Sequence, residues 1–119
     1  MSKIELENVT KNFGDVIAVN DVSIEIYDRE FLVMLGPSGC GKTTTLRTIA
    51  GLEAVDAGNI IIDERSVTHL SPADRNISFV FQFYALYPHL TVFDNIAFPL
   101  KASNVEKTEI ESRVLEVAK

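Results

Sequence analysis

The sequence predicts an α/β fold in which helices cover a parallel sheet, and three observations predict it. Short alternating segments near residues 4–7 and 22–26 have the period of half-buried strands. The run 31–35, Phe-Leu-Val-Met-Leu, is apolar at every position, the pattern of a strand buried on both faces. The glycine-rich stretch 36–41 follows it directly and leads into a helical pattern over 42–50.

Taken in order, Ile4 and Leu6 alternate with Lys3, Glu5 and Glu7, and Gly14-Asp15 supplies a turn. Val22, Ile24 and Ile26 alternate with Ser23 and Glu25 in a second strand, and Asp28-Arg29-Glu30 turns the chain into the apolar run. In the helix after the glycine loop, Leu46, Ile49 and Ala50 form the apolar face, and Gly51 is the expected stop. Ala57-Gly58 reads as a turn before a short strand over 59–62, residues 63–75 as a polar loop, and 77–81 as a further β-prone segment. Residues 82–90 fit neither period and read as loop. Thr91 and Asp94 make a capping box that starts a helix, which Pro99 is expected to end. Ile110, Val114 and Leu115 mark a last helix over 107–119, with no capping signal, so the chain is expected to end inside a helix and inside a domain.

The 119 residues suit one domain. Hydrophobic residues make up 46% and charged residues 24%, which is globular composition and excludes a disordered or low-complexity chain. Asp plus Glu number 17 against 11 Lys plus Arg, a net charge of −6, opposite to the footprint of a nucleic-acid binder. Nucleic acid is therefore not an expected partner. The single cysteine, Cys40, excludes an intrachain disulfide and agrees with a reducing compartment. No apolar run approaches the roughly 18 residues of a spanning helix, and no apolar signal region opens the chain. His69 and His89 have no companions at ligand spacing, so neither is expected to bind zinc.

Chemistry concentrates in Gly36-Pro37-Ser38-Gly39-Cys40-Gly41-Lys42-Thr43, a full G-x-x-x-x-G-K-[ST] match set between an apolar run and a helix. Such a loop can turn successive backbone N–H groups toward phosphate oxygens at the helix N-terminus. Lys42 adds a point charge toward the terminal phosphates, the Thr43 hydroxyl is a hard oxygen ligand suited to Mg²⁺, and the N–H of Thr44 can reach a further phosphate oxygen. A phosphate chain and Mg²⁺ are the expected ligands. A small-molecule kinase with the same loop would need an acceptor site and a lid, for which the sequence gives no sign.

Over nearly its whole length the chain resembles the ATP-binding subunits of ATP-binding cassette (ABC) transporters, in particular the sugar importers of the maltose type. The residues that carry the likeness are IELENVTKNFG, GPSGCGKTTTLRTIAGLE, the Ala57-Gly58 pair and FVFQFYALYPHLTVFDNIAFPLK. The resemblance implies a P-loop NTPase core of parallel sheet and helices plus an N-terminal antiparallel β subdomain, truncated before completion. Residues 1–119 would then be the N-terminal part of one nucleotide-binding domain, with the chain ending in its helical subdomain. It also implies that Phe13 stacks on adenine, and that Gln82 is the Q-loop glutamine reaching Mg²⁺ and the attacking water. Transmembrane permease subunits would be contacted between Phe83 and Leu90, and a second ATP-binding subunit in a head-to-tail dimer. The location implied is peripheral, at the cytoplasmic face of the inner (plasma) membrane. The family's signature, Walker B and switch-histidine motifs are not found in these residues, and Asp28-Arg29-Glu30 lacks the glycine usual before the loop strand. The expected function is transport-coupled ATPase activity in the full-length protein, with weak nucleotide binding and negligible hydrolysis by the 119 residues alone. The alternative is a non-hydrolytic regulatory module that senses ATP. The run 31–35 would lack its pairing partners, so self-association is expected.

Overall fold

The computed structural model describes residues 2–119, which form two compact units, 2–79 and 80–119. In the first unit the described residues form a four-stranded antiparallel sheet in the order β2-β1-β3-β4, with β1 at Ile4–Phe13, β2 at Val16–Ile26, β3 at Ala57–Ile62 and β4 at Arg65–Ser66. Both strands of the β1–β2 hairpin are longer than the alternation alone indicates, because the pairing continues through a bulge. Asn8 and Asp21, both at positive φ, face each other there, with the Asn8 side-chain amide donating to Asp21 Oδ1 at 2.9 Å. The bulge removes the strict period of two, so Leu6 and Val9, an odd step apart, are both buried. Ala57 and Gly58 belong to β3, as its first two residues, where the sequence suggests a turn.

One face of this sheet packs its apolar residues into a core with α1, Lys42–Ala50. Leu6, Val9, Val19, Ile60, Ile62 and Val67 are buried together with Ile49. The buried side of α1 is Thr45, Thr48, Ile49 and Ala50, whereas Leu46, expected on the apolar face, is 46% exposed. Thr45 and Thr48 are tolerated inside because their hydroxyls donate back to the carbonyls of Gly41 at 2.8 Å and Thr45 at 2.7 Å. Where a polar loop is expected over 63–75, the chain makes β4 and a short 3₁₀ turn, Pro72–Arg75.

The expected strand at 31–35 does not form. Those residues run without a ladder partner, and Phe31 and Leu35 are each 90% exposed. The strands the chain does form pair antiparallel, whereas a parallel strand needs a second strand brought alongside by a crossover. Among the described residues nothing supplies one, and 77–81, the other β-prone segment, is also outside any sheet. The apolar sequence is there; its hydrogen-bonding partner is not.

The second unit is a helical pair, α2 at Val92–Ala102 and α3 at Lys107–Val117. Ala97, Ile110 and Val114 are buried between them, with Ile96, Leu100 and Val105 packed alongside. Thr91 caps α2 as expected, accepting from the Asp94 N–H at 3.0 Å. Pro99 does not end this helix. Its ring lies on the exposed side, and Leu100 must stay helical to share a face with Ile96, so packing against α3 outweighs the lost backbone bond. The last helix closes at Val117, with the Ala118 N–H donating to the Val114 carbonyl at 3.0 Å. No helix among the described residues is long and apolar enough to cross a membrane.

Candidate functional site

The loop 36–41 leaves its apolar run as a turn, the Cys40 N–H donating to the Pro37 carbonyl at 3.3 Å, and enters α1 through Gly41. Gly41 has φ +93, and a Cβ there would sit 2.2 Å from the backbone oxygen of Ala18. Only glycine lets the loop turn in that conformation while resting against β2. The first helical bond of α1 is Thr45 N–H to the Gly41 carbonyl at 2.9 Å, so the N–H groups of Lys42, Thr43 and Thr44 precede any intrahelical acceptor. No side chain among the described residues caps this end, and its first turn contains no acidic residue. The helix α2, by contrast, is closed by Thr91.

Lys42 folds back across the loop. Its ammonium donates to the carbonyl oxygens of Gly36 and, at 3.1 Å, Pro37. The group therefore stands at the mouth of the loop, beside the free donors of the first turn. Ser38, Gly39 and Cys40 form the exposed crest, and the Cys40 sulfur lies where a side chain on Gly36 would otherwise project, 2.6 Å from a Cβ built there. Thr43 is exposed and Thr44 half-buried on the first turn. A fixed cation, unpartnered N–H groups and the positive end of a helix dipole make this arrangement able to hold a phosphate-sized anion.

Phe13 closes β1 at the hairpin tip, 47% exposed, opposite Val16 and with the Lys11 ammonium 5.2 Å from its ring centroid. Two residues further along β2 from Val16 is Ala18, against which Gly41 rests. Phe13 and the loop are thus brought to the same stretch of β2, within about 7 Å of strand. A groove of about 540 Å³ flanks the other side of α1, lined by Phe31, Val33, Lys42, Thr43 and Leu46 among others.

Gln82 belongs to the second unit, where it is exposed at the start of a turn over 82–85. Tyr84 and Ala85 both have positive φ, 64° and 53°, so this turn is strained as well as apolar, with Phe83 84% and Tyr84 73% exposed. The next turn is held differently. The Asn95 side chain accepts from the Tyr87 N–H at 2.9 Å and donates to the carbonyls of Tyr87, Leu90 and Thr91, while the Tyr87 ring stacks on Phe98 at 4.5 Å. Asn95 was not singled out by sequence reasoning; its only signal is a polar residue just inside a capped helix, which many helices share. Ala18 could not have been found, because it contributes backbone alone.

A family model described as ABC transporter matches residues 19–119. The osmoprotective compounds uptake ATP-binding protein GgtA of Synechocystis is 54% identical over 99% of this chain and 32% of its own length. The trehalose/maltose import ATP-binding protein MalK of Thermococcus litoralis is 54% identical over 99% of this chain and 33% of its own. The sn-glycerol-3-phosphate import ATP-binding protein UgpC of Brucella abortus is 53% identical over 100% and 34%. The chain spans about a third of the length of these relatives. Among solved structures, the dimeric ATP-binding cassette MJ0796 bound to ADP and Pi superposes with a TM-score of 0.83 at 33% identity, covering 95% of this chain and 54% of that one. These cassettes bear out the expected fold class, a fragment of a P-loop NTPase with an antiparallel N-terminal sheet. With the family match covering most of its residues and the phosphate-loop sequence in place, the chain belongs to the ABC transporter ATP-binding family.

Proposed function

We propose that the chain is the N-terminal, nucleotide-holding part of an ABC importer's ATP-binding subunit, which couples ATP binding and hydrolysis to uptake of a solute such as a sugar. One observation carries the reading: the Lys42 ammonium rests on the Gly36 and Pro37 carbonyls at a helix N-terminus whose first N–H groups are open. In this reading Gly36, Pro37, Ser38, Gly39, Cys40 and Gly41 shape the cradle, and the amides through Thr44 donate to phosphate oxygens. Lys42 neutralises charge on the terminal phosphates. Phe13 offers its exposed ring to adenine. The Thr43 hydroxyl would offer an oxygen to Mg²⁺, as would Gln82 in the role of the Q-loop glutamine; the ion would supply charge withdrawal from the phosphates.

The partners proposed are permease subunits docking between Phe83 and Leu90 and a second ATP-binding subunit. Exposed aromatic rings on the strained 82–85 turn support the first, and the dimeric form of the similar cassettes supports the second. The location proposed is peripheral, at the cytoplasmic face of the inner membrane. The spread of solutes named for relatives of nearly equal identity, osmoprotectants, trehalose or maltose and sn-glycerol-3-phosphate, supports a solute choice made outside these residues. The test is a calorimetric titration with Mg-ATP of the chain and of Lys42→Ala. The reading expects at least a tenfold loss of affinity in the variant, and equal affinities would remove Lys42 from the site.

A further inference from the structure

Arg75 is the one arginine among the described residues that is buried, 5% exposed, and none of the ion pairs among those residues includes it. Its guanidinium donates to four backbone carbonyls instead. Nη1 reaches Thr48 at 2.8 Å and Ile49 at 3.1 Å, both in the last turn of α1, while Nε reaches Leu70 at 3.1 Å and Nη2 reaches Thr68 at 3.2 Å. One planar cation thus ties the C-terminal end of α1 to the 67–71 segment, which is itself anchored to β3 through the Val67 N–H and the Ile60 carbonyl at 2.8 Å. Loss of water lowers the guanidinium's pKa from its ordinary value, a cost that the oriented carbonyls and the negative end of the helix dipole offset.

The fit extends to Gly51. This residue ends α1 at φ +80, and a Cβ there would lie 2.7 Å from Arg75 Nε, so the same glycine closes the helix and leaves room for the guanidinium. The Arg47 carbonyl of the same turn is taken by the Leu52 N–H at 2.9 Å. At this end of α1, Arg75 shares the Thr48 carbonyl with the Gly51 N–H, which lies at 3.2 Å, and adds the bond to Ile49.

We propose that Arg75 is a positioning residue for the phosphate loop: by clamping the C-terminal turn of α1 to the β3-anchored segment, it fixes the direction in which the helix N-terminus presents Lys42, Thr43 and Thr44. The proposal rests on the nucleotide-holding reading of that loop. Geometry gives the clamp its leverage. The nine residues of α1 are ~13 Å long, so a tilt of about 10° displaces the loop end by ~2 Å, more than hydrogen-bond distances tolerate. The helix is packed on one side only, since Leu46 and Thr43 line the open groove on the other. Besides the packing of Thr45, Thr48, Ile49 and Ala50 on that one side, two end contacts restrain the tilt, Gly41 on Ala18 and Arg75 on Thr48 and Ile49.

The experiment compares the chain with Arg75→Met and Arg75→Lys by Mg-ADP titration and by amide hydrogen exchange. Arg75→Met is expected to weaken Mg-ADP at least tenfold and to speed exchange at α1 amides such as Ile49 and Ala50, while sheet amides of Leu6 and Ile60 keep their protection. Arg75→Lys keeps the charge but not the fork, and is expected to fall between the two. If Arg75→Met binds as tightly as the parent, or if the sheet amides lose protection together with α1, the positioning role is overturned. A parent chain that does not bind Mg-ADP refutes the nucleotide reading, and the exchange comparison, which needs no ligand, then still decides whether Arg75 orders α1.

Discussion

Gly39 and Gly41 share the left-handed backbone, φ +79 and +93, yet they answer to different constraints. Nothing lies within 4 Å of a Cβ on Gly39, so Gly39→Ala is expected to cost only the conformational term, about 1 kcal/mol. Gly41→Ala adds a collision with the Ala18 backbone oxygen, which cannot swing aside as a side chain can, and is expected to cost about 3 kcal/mol. Urea unfolding of the two variants checks the order, and equal losses would show that β2 does not bear on the loop. Lys42 is constrained the other way: its ammonium is held by main-chain carbonyls of the very loop it serves, which keeps a flexible side chain at the mouth.

Helix α2 shows how an element can be legible at one end and misread at the other. Thr91 and Asp94 announce the start, and the hydroxyl and carboxylate also bond each other at 3.1 Å. Replacing Thr91 with Ala is expected to cost about 1 kcal/mol in denaturant unfolding. The hydrogen bond from Lys101, then that from Thr91, holds the Asp94 carboxyl below its ordinary value. A lowered folded-state pKa contributes stability above the unfolded-state value, and that contribution is lost as pH falls through the folded-state pKa. Carboxyl titration by NMR is therefore expected to show Asp94 protonating below the usual aspartate range, and returning toward it in Lys101→Met. Pro99 was misread because backbone rules are local, whereas Leu100 is held helical by Ile110 and Val114, which lie beyond the next turn. The loop, the start and stop of α1 and the cap of α2 were legible because each depends on neighbours within a few residues. The β1–β2 bulge at Asn8 and Asp21 and the clamp made by Arg75 were not, because their partners are distant in sequence and, for Arg75, are carbonyls that any residue carries.

At the scale of the molecule, the segment 31–35 is where sequence and surroundings disagree most. Phe31, Val33 and Leu35 are more than half exposed beside the groove along α1, and the segment's backbone is not part of the sheet. Such a stretch invites strand pairing between molecules. Sedimentation of the chain alone is expected to show self-association that Val33→Lys combined with Leu35→Lys reduces; a monomer at every concentration would contradict this. The two units supply different things, a cradle on one and a strained aromatic turn on the other, and the proposed coupling of nucleotide to transport needs both. Its base is the cradle. The most direct measurement is an amide-resolved NMR titration with Mg-ATP. The account predicts shifts concentrated at Gly39, Gly41, Lys42, Thr43 and Thr44, with Ala97 and Val114 unmoved; loop amides that stay still at saturating nucleotide would contradict it.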